Sequence, residues 1–169
     1  MAEFVEVLAK DFDINPFKSI GQDWMLVTSQ SPSGVNTMTA SWGGLGVMWN
    51  KNVAFVVIRP QRYTKKFVDE SNEFSLSFLP NEFKKVCSYL GTVSGRDEDK
   101  IGKSGLKLLS EDNIPFFQEA NAVIMCKTLF RQSYDAESFL NKAIEKEVYP
   151  DKDYHNLYIA EITKILVKK

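Results

Sequence analysis

The run VAFVVIRPQRYTKKF, residues 53–67, changes character halfway along. Val53–Ile58 is an unbroken β-branched and aromatic block, which reads as a buried strand. Pro60 closes it. The segment Tyr63–Ser71 then turns Phe67 and Val68 inward at helical spacing. Arg59, Arg62, Lys65 and Lys66 crowd this handover, although the whole chain has a formal net charge of only -1. A helix N-terminus carries free N–H groups and partial positive charge, so it attracts anions, phosphate above all. Acids normally fill a first turn, yet Asp69 and Glu70 come only later. Each cation placed there opposes the dipole by ~0.3–1 kcal/mol, a cost that a bound anion would offset. The stretch therefore reads as a phosphate socket made by Arg59, Thr64 and Lys65, ahead of the alternative of an ordinary solvated helix start, with Arg62 and Lys66 left without a role.

Working outward, alternation and β-branched content predict strands near Trp24–Ser29, Thr37–Trp42, Val53–Ile58, Glu73–Leu79, Ala122–Arg131 and Leu157–Val167. Helices are predicted over Tyr63–Ser71, Glu82–Leu90 and Ala136–Tyr149, the last stopped by Pro150. The fold class is mainly β: an antiparallel β-barrel with flanking helices, since closure removes exposed sheet edges. No repeat or linker interrupts residues 1–169, which read as a single domain.

A second candidate surface lies in VNTMTASWGGLG, residues 35–46. On a strand Thr37, Thr39 and Ser41 share one face, and Met38, Ala40 and Trp42 share the other. Gly43, Gly44 and Gly46 follow and permit close approach to the backbone. Hydroxyls followed by glycines suit a planar polar ligand lying across the strand. The charge-rich loop TVSGRDEDKIG, residues 92–102, reads by itself as solvated, with a polar clamp at a ligand edge as its functional alternative. His155 is the lone histidine and stands among tyrosines, where it is structural by default and otherwise a stacking or lid residue.

Composition excludes much else. Hydrophobic residues at 44% and charged residues at 25% describe an ordinary globular chain, and a pI of about 5.9 lacks the basicity of a nucleic-acid binder. The N-terminal residues carry acids where a signal peptide needs a basic region, and no apolar run is long enough to span a membrane, so a cytoplasmic location is expected. Cys87 and Cys126 stand far apart and read as two packed thiols; with one histidine, no metal site is expected. No dinucleotide fingerprint, Walker A loop or nucleophile elbow is present, so any chemistry is expected from a cofactor and no catalytic side chain is assigned.

The order NTMTASWGGLG, then VAFVVIRPQRYTKKFVDESNEFSLSFLP, then SGRDEDK resembles the flavin reductase-like, FMN-binding split-barrel proteins, especially their flavoredoxin-type branch. The resemblance runs from about Asn15 to the last strand. It implies a six-stranded split barrel that forms a homodimer and binds FMN. By the same resemblance, Asn36, Thr37, Met38, Thr39, Ala40, Ser41 and Trp42 line the flavin. Arg59, Tyr63, Thr64 and Lys65 lie on the phosphate side. Ser94, Gly95, Asp97 and Lys100 approach from the charged loop, in the same subunit or its partner. Residues 134–153 read as a helical insertion that many relatives lack. The implied activity is an oxidoreductase that takes electrons from NADH or NADPH; the alternative is a non-enzymatic electron carrier serving a redox protein partner.

Overall fold

Strands Met25–Ser31 (β2) and Lys51–Ile58 (β5) carry apolar residues on both sides of the chain; β2 packs into a core on each face, whereas β5 packs Ala54, Val56 and Ile58 into one core and leaves Phe55 and Val57 half-buried on the other side. The computed structural model describes residues 3–169. Around these two strands run Phe4–Glu6 (β1), Gly34–Ala40 (β3), Gly43–Met48 (β4), Glu73–Phe78 (β6), Ala122–Ser133 (β9) and Asn156–Lys168 (β10). The sheet order is β3-β2-β6-β9-β10-β5-β4, with β1 added on β10. Every pairing is antiparallel. The terminal strands β3 and β4 do not pair with each other, so hydrogen bonding leaves the barrel split rather than closed.

All six predicted strands form. Four further strands join them: β1, β4, and a separate hairpin of Leu108–Glu111 (β7) with Ile114–Phe117 (β8). The main sheet thus has eight strands among the described residues, beyond the six expected. The extra hairpins turn on residues with positive φ, Trp49-Asn50 between β4 and β5 and Asp112-Asn113 between β7 and β8. Two successive residues with positive φ give the primed turn whose twist matches the flanking strands.

Adjacent residues serve opposite cores. Met25 and Val27 face one cluster with Met38, Val56, Phe74, Ile124, Cys126 and Tyr158. Leu26 faces the other, with Cys87, Leu90, Phe117, Val123 and Met125. This explains why β2 reads as a continuous apolar run instead of an alternating one. Both cysteines are buried and free, as expected. β9 and β10 stay paired across two irregularities, between Ile159 and Ala160 and between Ile162 and Lys164. Such bulges bend a strand and strengthen its twist, which lets two long strands wrap with the barrel.

The helices are Pro16–Gly21 (α1), Thr64–Ser71 (α2), Lys84–Thr92 (α3), Lys100–Ser104 (α4) and Lys142–Val148 (α5). The first two predicted helices appear as α2 and α3, the latter after a 3-10 turn at Asn81–Phe83. The third is divided. A 3-10 turn covers Ala136–Ser138, and α5 starts afresh where the Asn141 side chain accepts from the Ala143 N–H. No helix among the described residues is long and apolar enough to cross a membrane.

Candidate functional site

A cleft of about 420 Å³ opens where the barrel is split. Met38, Thr39, Ala40, Ser41 and Trp42 line it from the end of β3 and the bend before β4. Arg59 lies beside it past the end of β5, and His155 lies just before β10. Helix α3 supplies Cys87, Ser88, Gly91 and Thr92, and Trp24 closes one side. A smaller cavity of about 160 Å³ lies next to it, lined by Asn36, Tyr63, Thr64, Ser94 and Lys100 among others. Met38, Arg62 and Thr92 line both spaces, so the two form one bent groove.

The five consecutive residues 38–42 border the larger cleft because β3 ends at Ala40 and the chain bends. Strict alternation would have put Ser41 and Trp42 on opposite sides. The predicted row of free hydroxyls is not found. Thr37 is fully buried, its Oγ1 bonded to Thr28 Oγ1 at 2.8 Å and donating to Val27 O at 3.2 Å, and it borders neither cavity. Thr39 Oγ1 donates to Cys87 O at 2.5 Å, tying β3 to α3. Nor do the glycines open onto a ligand. A Cβ at Gly43 would meet the Phe55 carbonyl, and Gly46 lies against the Phe55 ring.

The smaller cavity sits at the start of α2, which has no side-chain cap and no acid in its first turn. Thr64 is buried there, and its Oγ1 accepts from Asn36 Nδ2 at 2.9 Å. Asn36 also packs against Gly95, where any Cβ would strike its Oδ1, so the 94–95 loop is drawn onto β3. Lys100 is buried, and its Nζ donates to Leu90 O and Val93 O at 2.8 Å each. Burial first, and Arg62 second, push its ammonium down to about 8. Arg62 donates to Gly91 O at 2.7 Å, and burial lowers its guanidinium as well. Neither cation makes an ion pair among the described residues. Two half-desolvated cations with only carbonyls as partners, beside an uncapped helix start, make a place for an anion.

The predicted cationic residues divide differently. Arg59 reaches the larger cleft but not the helix start. Its guanidinium pairs with Asp153 and donates to Val148 O at 3.0 Å, so it ties down the 134–153 segment. Lys65 borders neither cavity; its Nζ bonds Asp69 at 2.5 Å, one turn along the helix. Asp69 also accepts from Tyr158 Oη and Arg131, at 2.7 Å each. Tyr63 and Thr64 stand at the smaller cavity as expected, and Arg62, assigned nothing from sequence, replaces Arg59 there. Of the charged loop, Ser94 and Lys100 reach the cavity; Gly95 packs behind it and Asp97 does not border it. Ser88 and Gly91 had no local signal, since they reach the cleft through packing of α3 on β3, and Trp24, just before β2, was read only as the start of a strand. No cluster of metal-binding side chains occurs among the described residues.

The family described as flavin reductase like domain matches residues 17–169. An uncharacterized protein of Aeropyrum pernix is 29% identical over 134 residues, which is 77% of this chain and 50% of that protein. Another, of Archaeoglobus fulgidus, is 29% identical over 96 residues, covering 56% of this chain and 54% of the relative. The chain thus spans about half the length of the curated relatives it matches. Among solved structures, an FMN-binding domain of a flavin reductases-like enzyme from Shewanella baltica superposes with a TM-score of 0.72 at 18% identity, over 98% of this chain and 78% of that one. The flavoredoxin of Desulfovibrio vulgaris gives 0.66 at 22% identity, over 85% and 68%. At these identities the likeness establishes the split-barrel fold.

Proposed function

The chain belongs to the flavin reductase-like domain family, and from that premise we propose that it is an FMN-binding flavoprotein oxidoreductase drawing electrons from NADH or NADPH. The observation that carries this reading is the meeting of Arg62 and Lys100, cations without a carboxylate partner among the described residues, at the start of α2, which has no side-chain cap. The groove suits the cofactor in three respects. Its larger part has the volume of a small-molecule site and apolar walls in Trp24, Met38 and Trp42. Its smaller part is polar and cationic. The two parts are continuous, as a flat ring system carrying a phosphate tail requires.

In this reading Arg62, Lys100 and the Thr64 N–H at the start of α2 hold the phosphate, with the side chains of Tyr63, Thr64 and Ser94 around it, because the Lys65 and Lys66 N–H groups already donate to the Arg62 and Tyr63 carbonyls. Residues 38–42 line the ring system, and the Ser41 hydroxyl is available to its polar edge. Asn36 acts at one remove by fixing Thr64, and Asp97 and Lys65 stay outside the contact set. FMN, when bound, supplies the redox chemistry, accepting two electrons from a reduced nicotinamide and releasing them to an acceptor. The protein binds and orients, and Trp42 and His155 restrict water at the open side. We further propose that the chain acts as a homodimer in the cytoplasm.

Purified protein is expected to be yellow, or to gain thermal stability with added FMN. A colourless protein that FMN does not stabilise overturns the proposal. Anaerobic mixing with each nicotinamide then tests the activity. Rapid bleaching supports the oxidoreductase. Bleaching only with a reduced protein donor marks a carrier like the flavoredoxins, whose fold this chain shares.

A further inference from the structure

His155 is 7% exposed and borders the cleft 5.3 Å from the Trp42 ring. Its Nδ1 lies 2.7 Å from the hydroxyl of Tyr149, which belongs to the 134–153 segment and is itself 4% exposed. We propose that Tyr149 is a positioning residue: its O–H donates to Nδ1, so that His155 stays neutral with its proton on Nε2, offering the cleft a fixed hydrogen-bond donor.

The argument is one of proton accounting. The phenol has one proton to place, and among the described residues Nδ1 is the acceptor within its reach in a buried setting. If Nδ1 carried the proton instead, the phenol O–H would be left a buried donor without a partner, which is costly. Burial first raises the Tyr149 phenol, which keeps it a donor. Protonating the imidazole would force the same loss, because both ring nitrogens then donate. Four groups bear on the ring's charge. Arg59, past the end of β5, places its guanidinium 5.1 Å from the Tyr149 ring centroid and opposes a second cation. Asp153 favours that cation but is engaged by Arg59 and Gln61. Tyr149 and Tyr134, the latter with ring centroid 6.4 Å away, are neutral phenols. Burial and Arg59 together push the imidazole down to about 4. Tyr149 is held in turn, its ring packed on Phe139 and Tyr154.

A donor that stays neutral across the physiological range suits a carbonyl or carboxamide acceptor on the molecule that shares the cleft with the cofactor; this last step rests on the flavoprotein reading. Because the chain has one histidine, long-range ¹H–¹⁵N correlation spectra of the full protein read its tautomer directly. The unaltered chain is expected to show the Nε2–H form alone, unchanged until the pH nears 4. Tyr149→Phe, which keeps the packed ring, is expected to give mixed tautomers and titration nearer the ordinary ~6.5. An Nδ1–H form in the unaltered chain overturns the inference, even if the variant fails to fold. So does a folded variant with tautomer and titration unchanged. Either result in a protein that still binds FMN leaves the flavoprotein reading intact, and a protein that never binds FMN removes that reading without touching the tautomer.

Discussion

Arg59 and Arg62 are three positions apart and look equivalent in sequence, yet one anchors the 134–153 segment and the other faces the anion cavity. That difference is measurable by comparing FMN with riboflavin, which lacks the phosphate. Arg62→Ala is expected to weaken FMN binding by about 10–100-fold and riboflavin binding little, the loss of one charge-assisted contact at ~1.5–3 kcal/mol. Arg59→Ala is expected to affect the two ligands alike; selective loss of FMN there would return Arg59 to the phosphate. His155 gives a second residue-level expectation. Its folded value is depressed to about 4 against an ordinary ~6.5, so between these limits the unfolded chain binds more protons. Stability should therefore rise with pH over that window, by at most ~3.4 kcal/mol from this group, and be indifferent to it at higher pH. Urea unfolding of His155→Asn beside the unaltered chain isolates the contribution; parallel pH profiles would show that the imidazole is not held neutral.

Among the elements, β4 and the split third helix show where local pattern misleads. The glycines of GGLG look like an opening for a ligand, but they let β4 lie close on β5. Gly43 has φ +144, a conformation nearly confined to glycine, and the Phe55 carbonyl fills the space of any Cβ. Gly34 is also strained, with φ +115, but nothing lies within 4 Å of its Cβ position. Gly43→Ala is therefore expected to destabilise by at least ~2 kcal/mol, a fall in Tm of ~4–8 °C, and Gly34→Ala by clearly less. Equal losses in a thermal melt would mean that backbone strain alone accounts for both. The turn at Trp49-Asn50 lacks the Asn-Gly signature of a tight hairpin, which is why β4 could not be read as a strand. Helical spacing over residues 136–149 survives only as α5, because Asn141 caps a new start and the aromatic residues Tyr134, Phe139, Tyr149 and Tyr154 pack on one another instead.

At the scale of the molecule, the strands buried on both faces were legible because their apolar content is dense and local. The groove was legible only in part. Residues 38–42 and 63–64 announce themselves by type and position, whereas Trp24, Ser88 and Gly91 enter through contacts between distant elements. Lys100 was found by resemblance and is explained by burial: its charge sits where α3 ends, and the carbonyls there hold it. The same reasoning bears on association. Val47 and Trp49 are 68% and 55% exposed at the β4–β5 turn, and Trp49 meets Phe130 of β9 at 6.2 Å between ring centroids. Leu129 and Phe130 are themselves 40% and 39% exposed, so the patch runs across two hairpins. Apolar surface gathered like this is costly to leave in water and marks a contact face. If the proposed homodimer forms there, light scattering should give twice the chain mass at micromolar protein, and Trp49→Glu should halve it while leaving the fold's circular dichroism unchanged. A monomeric mass for the unaltered chain removes the homodimer; a dimer indifferent to Trp49→Glu places its interface elsewhere on the barrel.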